Sequence, residues 1–156
     1  HQTLTSPPHY QPFLFADGTQ LPWVSTSHGT EVDQNGNLLV AKKVLQAKGT
    51  SPSIFQVAEA VFRPGSHVEH HSHVEAVELF YGMKGTCEFE LIPSPQYYPE
   101  VQQEMREQER EEPLPSRQVV SAGQLISINP MTSHAISNPS SYEECRMMVV
   151  SVNKFE

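Results

Sequence analysis

The apolar residues of this chain come in short runs, and turn residues close nearly every one. The runs cover residues 38–47, 54–62, 77–83, 86–92, 118–121, 124–128, 134–137 and 146–152. Gly49, Pro64-Gly65, Gly82, Gly85, Gly123, Asn129-Pro130 and Asn138-Pro139 separate them. In residues 86–92, Cys87, Phe89 and Leu91 alternate with Glu88 and Glu90, so one face is buried and the other wet. Strands this short and this regularly interrupted predict an antiparallel sandwich or barrel. A length of 156 residues suits one domain with one core.

Residues 1–37 read as an N-terminal arm with loops, and residues 38–156 as the barrel domain. Pro7, Pro8, Pro12 and Pro22 forbid a helix in the arm. Phe13-Leu14-Phe15 is an apolar stretch suited to packing on its own sheet or on a second subunit, and a homodimer is expected. An insertion spans about residues 93–117, and its stretch 99–113 holds six Glu and two Arg. Tyr98, Val101 and Met105 form a narrow apolar stripe there, which predicts a short exposed helix or loop.

A net charge of −8 weighs against nucleic acid or an anionic membrane surface as partner. No run approaches the ~18 apolar residues of a membrane-spanning helix. The chain begins at His1, so its natural start is not visible. Cys87 and Cys145 are too few for a disulfide scaffold. The cytoplasm is the expected compartment, with their pairing left open.

Four of the eight histidines lie close together, His67, His70, His71 and His73. Side chains at i and i+2 of a strand share a face, so His71 and His73 point together and His70 points away. Glu78 follows a turn and can aim its carboxylate at the same place. Two imidazoles and a carboxylate suit a first-row divalent metal. Glu75 has the same strand parity as the two histidines and competes with Glu78. Among the remaining histidines, only His134 sits in the β-rich half, after a turn.

These residues resemble the motifs of the cupin superfamily. Gly65, five residues, His71-Ser72-His73, four residues, Glu78, six residues and Gly85 fill every fixed position of its first motif. Gly123, His134 and Asn138 match the second, but Pro130 comes one residue late and Met131 stands where the family has a glycine. The resemblance covers about residues 54–152. It implies an all-β, single jelly-roll barrel with metal ligands His71, His73, Glu78 and His134.

Strand parity places His67 and Glu69 with the ligands, and these two, with Tyr81, are the candidate catalytic neighbours. Phe80, Phe89, Met131 and Met148 are candidates for an apolar substrate wall. One divalent transition metal is expected, Fe(II) first, with Mn(II), Ni(II) and Zn(II) as alternatives. The leading expectation is an Fe(II)-dependent dioxygenase acting on a small oxygen-rich substrate. A lyase, isomerase or cyclase using the metal as Lewis acid comes next. A barrel that binds a small ligand without turnover is third.

Overall fold

The computed structural model describes residues 11–27 and 29–153. Among the described residues, ten strands and one α-helix follow one another as β1 (Val24–Ser25), β2 (Val40–Gln46), β3 (Ile54–Phe62), β4 (His67–His71), β5 (Ala76–Lys84), β6 (Thr86–Pro93), α1 (Pro99–Glu107), β7 (Ser116–Ser121), β8 (Leu125–Ile128), β9 (Thr132–Ser137) and β10 (Cys145–Asn153). They form two antiparallel sheets, one in the order β1-β2-β3-β10-β5-β8 and one in the order β4-β9-β6-β7. The two face each other as a jelly-roll barrel, as the sequence predicts.

Alternation builds the core. Along β6, Cys87 and Phe89 have no exposed surface while Glu88 and Glu90 face out. Phe62, Val68, Phe80, Val120, Ile128, Ile136 and Met147 complete the core from both sheets. Each such side chain stabilises the fold by about 1.5–3 kcal/mol relative to exposure. Cys87 of β6 and Cys145 of β10 are joined by a disulfide, so a covalent bond crosses from one sheet to the other. The hairpin between β5 and β6 depends on Gly85, whose φ of 67° is left-handed. A Cβ there would also collide with the Glu144 carbonyl.

β4 carries a one-residue bulge. Val68 pairs with Ile136 and His71 with His134, so three steps on β4 match two on β9. Val68 and His71 therefore both face inward although they are three residues apart.

The insertion begins with the nine-residue helix α1, which has Pro99 in its first turn and its acidic face in solvent. It stops at Glu107. The Tyr98 hydroxyl, just before it, donates to Pro130 O at 2.7 Å and so pins the insertion to the turn ahead of β9. At the N-terminal side, Phe13 and Phe15 are exposed, and Trp23 lies under the cations of Lys43 and Arg146. Residues 1–10 of the predicted arm, with His1 and His9, lie outside the described residues, as does His28.

Candidate metal centre

The strand register brings four side chains to one point. His71 closes β4 and lies directly across from His134 on β9. His73 follows two residues later, past the end of the strand. Glu78 comes from β5 in the facing sheet, in register with Ser151 of β10. One ligand atom from each of the four lies within 4.8 Å of the others. The His71 and His134 ring centroids are 4.3 Å apart.

Hydrogen bonds outside the cluster prepare the rings for a cation. His71 Nδ1 donates to Glu69 O at 3.0 Å, and His134 Nδ1 to Thr132 O at 3.1 Å. Each carbonyl fixes the proton on Nδ1 and leaves the Nε2 lone pair turned inward. His134 Nε2 then faces Glu78 Oε1 at 3.0 Å. A lone pair and a carboxylate at that distance need a proton or a metal ion between them. His73 Nε2 is buried 2.7 Å from the same oxygen, yet lacks the geometry of a hydrogen bond. Two ligands at right angles, each about 2.1 Å from an ion, stand about 3.0 Å apart. The donor set thus fits a divalent transition metal in chemistry and in spacing.

Charge reinforces the arrangement. Burial opposes ionisation of Glu78, but the His134 and His73 rings outweigh it and hold the carboxyl well below its usual range. The Glu78 carboxylate in turn raises the pKa of His73 against the effect of its partial burial. Ser151 Oγ lies 3.5 Å from Glu78 Oε2 on the cavity side.

The centre opens into a cavity of about 250 Å³ inside the barrel. Its walls are mainly apolar, with Phe55, Ala58, Ala60, Phe62, Phe80 and Val149 among them. Lys42, Gln56, Thr26, Ser27 and Ser151 supply the other polar groups.

The other candidates from the sequence are placed differently from one another. Phe80 lines the cavity, and Phe89 packs edge-on against it at 5.1 Å, one layer deeper. Met148 pairs with Glu59 and Tyr81, on the face of β10 opposite Met147 and Val149, so it does not reach the cavity. Tyr81 is exposed on that same outer face. Met131 holds the turn before β9 at φ 64° and also lies off the cavity lining. His67 and Glu69 face outward, 3.2 Å apart in an exposed pair. The bulge is the reason, because it reverses the parity that would have put them beside His71. Glu75 is exposed and stands outside the ligand group. His70 faces outward as expected, bonded to Ser133 Oγ and Glu90.

Lys42, Gln56 and Ser151 were missed. Two signals pointed to them. Adjacent lysines in a strand face opposite sides, so one of Lys42 and Lys43 had to enter the barrel. Ser151 ends the inward row Met147, Val149, Ser151, where a hydroxyl is out of place unless it has a task.

No family model and no curated protein matches this chain. Solved structures do. A predicted oxalate decarboxylase from Thermotoga maritima superimposes with a TM-score of 0.59 at 17% identity, over 90% of this chain and 99% of that one. The cupin domain of Drosophila melanogaster CENP-C gives 0.60 at 12% identity, over 88% and 79%. This chain has the cupin fold. Fe(II)-HppE, solved with an alternative substrate, shares it at a TM-score of 0.61 and 10% identity, over 94% of this chain and 65% of that one. At such identities the likeness concerns the fold alone, and the reading of the site rests on its own side chains.

Proposed function

We propose that the chain is a metal-dependent enzyme that acts on a small molecule inside the barrel, and that the reaction is an Fe(II)-dependent oxidation by O2. The observation that carries this reading is the convergence of three imidazoles and one carboxylate at the wall of an apolar cavity. A divalent ion held by His71, His73, Glu78 and His134 would supply Lewis acidity and, as iron, O2 activation. The residues of the chain do the rest. Glu69 O and Thr132 O orient the His71 and His134 rings. Ser151 faces Glu78 from the cavity side. Phe80, Ala58 and Val149 exclude water from the reacting groups, which strengthens every charge interaction there.

A Lewis-acid lyase or isomerase is the second reading, favoured by Lys42. Among the described residues it is the only titratable side chain besides the ligands that lines the cavity, where a proton-transfer partner for the substrate would have to stand. The shared fold with a predicted decarboxylase is in keeping with that reading.

The test is to load the protein with Fe(II) and measure O2 uptake with a panel of β-diketones, 2-oxo acids and 2-hydroxy acids. Substrate-dependent uptake is the expected result. Turnover that persists without O2 on Zn(II) or Mn(II) would establish the Lewis-acid class instead. Ligand binding without turnover would make the barrel a binding protein, and a metal content below a tenth of an equivalent after reconstitution would defeat the metal reading.

Two further readings belong here. Exposed Phe13 and Phe15, together with the edge strand β1, support a homodimer, which sedimentation would test. The Cys87–Cys145 bond weighs against the cytoplasm suggested by cysteine number alone. We place the protein in an oxidising compartment. Free thiols titrated in protein taken directly from its source would reverse that placement. No helix among the described residues is long and apolar enough to cross a membrane.

A further inference from the structure

The cavity holds a cation that stands outside the ligand group. Lys42 on β2 pairs with Ala60 of β3, whose side chain faces the barrel interior, so the lysine faces inward as well. Its ammonium reaches along β3 to Gln56 Oε1 at 3.4 Å. Among the described residues that amide is its hydrogen-bond partner, and no carboxylate comes within ion-pair reach of it. The contrast with other cations is sharp. Lys43, one residue on, is taken up outside the barrel by Gly18 O and the Trp23 ring. Lys84, Arg63 and Arg146 all meet Glu144, and Arg117 meets Glu88 and Glu90. A half-buried ammonium in an apolar cavity with only a neutral partner is electrostatically incomplete.

Its position is as informative as its charge. Gln56, Ser151 and Glu78 lie in register across β3, β10 and β5, so a polar row runs from the ammonium to the metal ligands. Beyond this row the walls are Ala58, Phe80 and Val149. A polyhydroxylated ligand would leave most of its hydroxyls unpaired against them, at a cost for each.

We propose that Lys42, assisted by Gln56, anchors the carboxylate of a small, mainly apolar acid whose other end supplies the oxygens that chelate the metal. This inference rests on the metal-centre reading and narrows it from small molecules in general to such acids. Lys42 is a binding residue in this assignment, with Gln56 holding its ammonium in place.

The experiment uses hydroxamates as metal-directed probes. Zinc-loaded protein is titrated calorimetrically with the monohydroxamates of succinic, glutaric and adipic acid, and with unbranched hydroxamates of the same chain lengths that lack the carboxylate. A charge-assisted hydrogen bond predicts that at least one acid-tailed probe binds tenfold or more tighter than its uncharged counterpart. Lys42→Met removes that preference while zinc content and affinity for the uncharged probe stay within about threefold. Lys42→Arg retains the preference, and Gln56→Leu reduces it. Lys42→Gln serves in place of the Met variant if the latter does not fold. Equal affinities in the parent protein, or a preference that survives in both Lys42→Met and Lys42→Gln, would overturn the anchor. Should the protein hold no zinc and bind no hydroxamate, the metal reading fails separately. The anchor is then judged by hexanoate against hexan-1-ol in metal-free protein. A hexanoate preference lost in Lys42→Met sustains it, and no preference sinks it.

Discussion

The barrel has two ends, and the same strands build both. Along β3 the inward side chains run Phe62, Ala60, Ala58, Gln56, and along β10 they run Cys145, Met147, Val149, Ser151. At the first end Met147 and the disulfide are fully buried and leave no room. At the second, alanine, serine and glutamine leave a cavity, and the ligands gather at its wall. The pairing of β3 with β10 runs without a break from Cys145 at one end to Ser151 at the other. Side-chain size and polarity decide which end holds the fold together and which end is free for chemistry.

The largest effect is expected at the closed end. The disulfide closes a loop between positions 58 residues apart. In the chain-entropy picture that is worth up to about 4 kcal/mol. Replacing Cys87 and Cys145 with alanine should lower the denaturant midpoint strongly yet leave metal content at one equivalent below the transition. Loss of metal in the folded double variant would show that the two ends are not independent.

At the open end, His134→Ala should weaken metal binding by more than the roughly 100-fold typical of losing a group that merely orients a ligand. Chelator competition measures it. His70→Ala, one residue from a ligand but facing outward, should leave metal affinity unchanged.

A smaller effect follows from protons. Glu78 raises the pKa of His73, whereas metal binding needs that ring neutral. Affinity should therefore fall about tenfold per unit as the pH drops below the raised value of His73. Glu78 stays ionised through that window, because its pKa is depressed. In the metal-free protein the sign reverses. The His73–Glu78 contact stabilises the fold below the ordinary imidazole value, and its contribution is lost as pH rises through the raised one. Titrations of metal affinity and of metal-free melting temperature against pH should slope in opposite directions.

The smallest effect belongs to the turn that delivers His134. Met131 takes a left-handed φ of 64°, which costs a residue with a Cβ of order 1 kcal/mol. Its backbone is held on both sides, with Met131 N donating to His73 O at 2.9 Å and Ser94 N to Met131 O at 2.9 Å. Met131→Gly should raise the melting temperature by about 2–4 °C with metal affinity unchanged. An unchanged or lower melting temperature would mean that the turn carries no such strain.

Much of the site was legible because strand grammar and ligand spacing are local. His71, Ser72, His73 and Glu78 lie within eight positions, and the alternation of β6 can be read residue by residue. His134 could be singled out as the remaining histidine in the β-rich half, but only the pairing of β4 with β9 brings it to His71. The bulge in β4 was not legible. It arises from a mismatch between two strands far apart in sequence, so parity counted along one strand misplaced His67 and Glu69. Met148 was misplaced for a similar reason, because neighbouring apolar residues of β10 occupy both faces of a sheet whose outer side is partly covered. The disulfide joins residues that sequence alone places in different strands with no stated proximity. Lys42 was visible only as one of a pair, and which lysine turned inward depended on the register of β2 against β3.

The bulge has a bearing on how such a chain can vary. It makes the two positions between Val68 and His71 forgiving in identity and strict in number. Many residues would serve at positions 69 and 70, but adding or removing one would slide the imidazole off its opposite number on β9. Among natural variants of this chain, substitutions there are expected to be common and insertions or deletions rare.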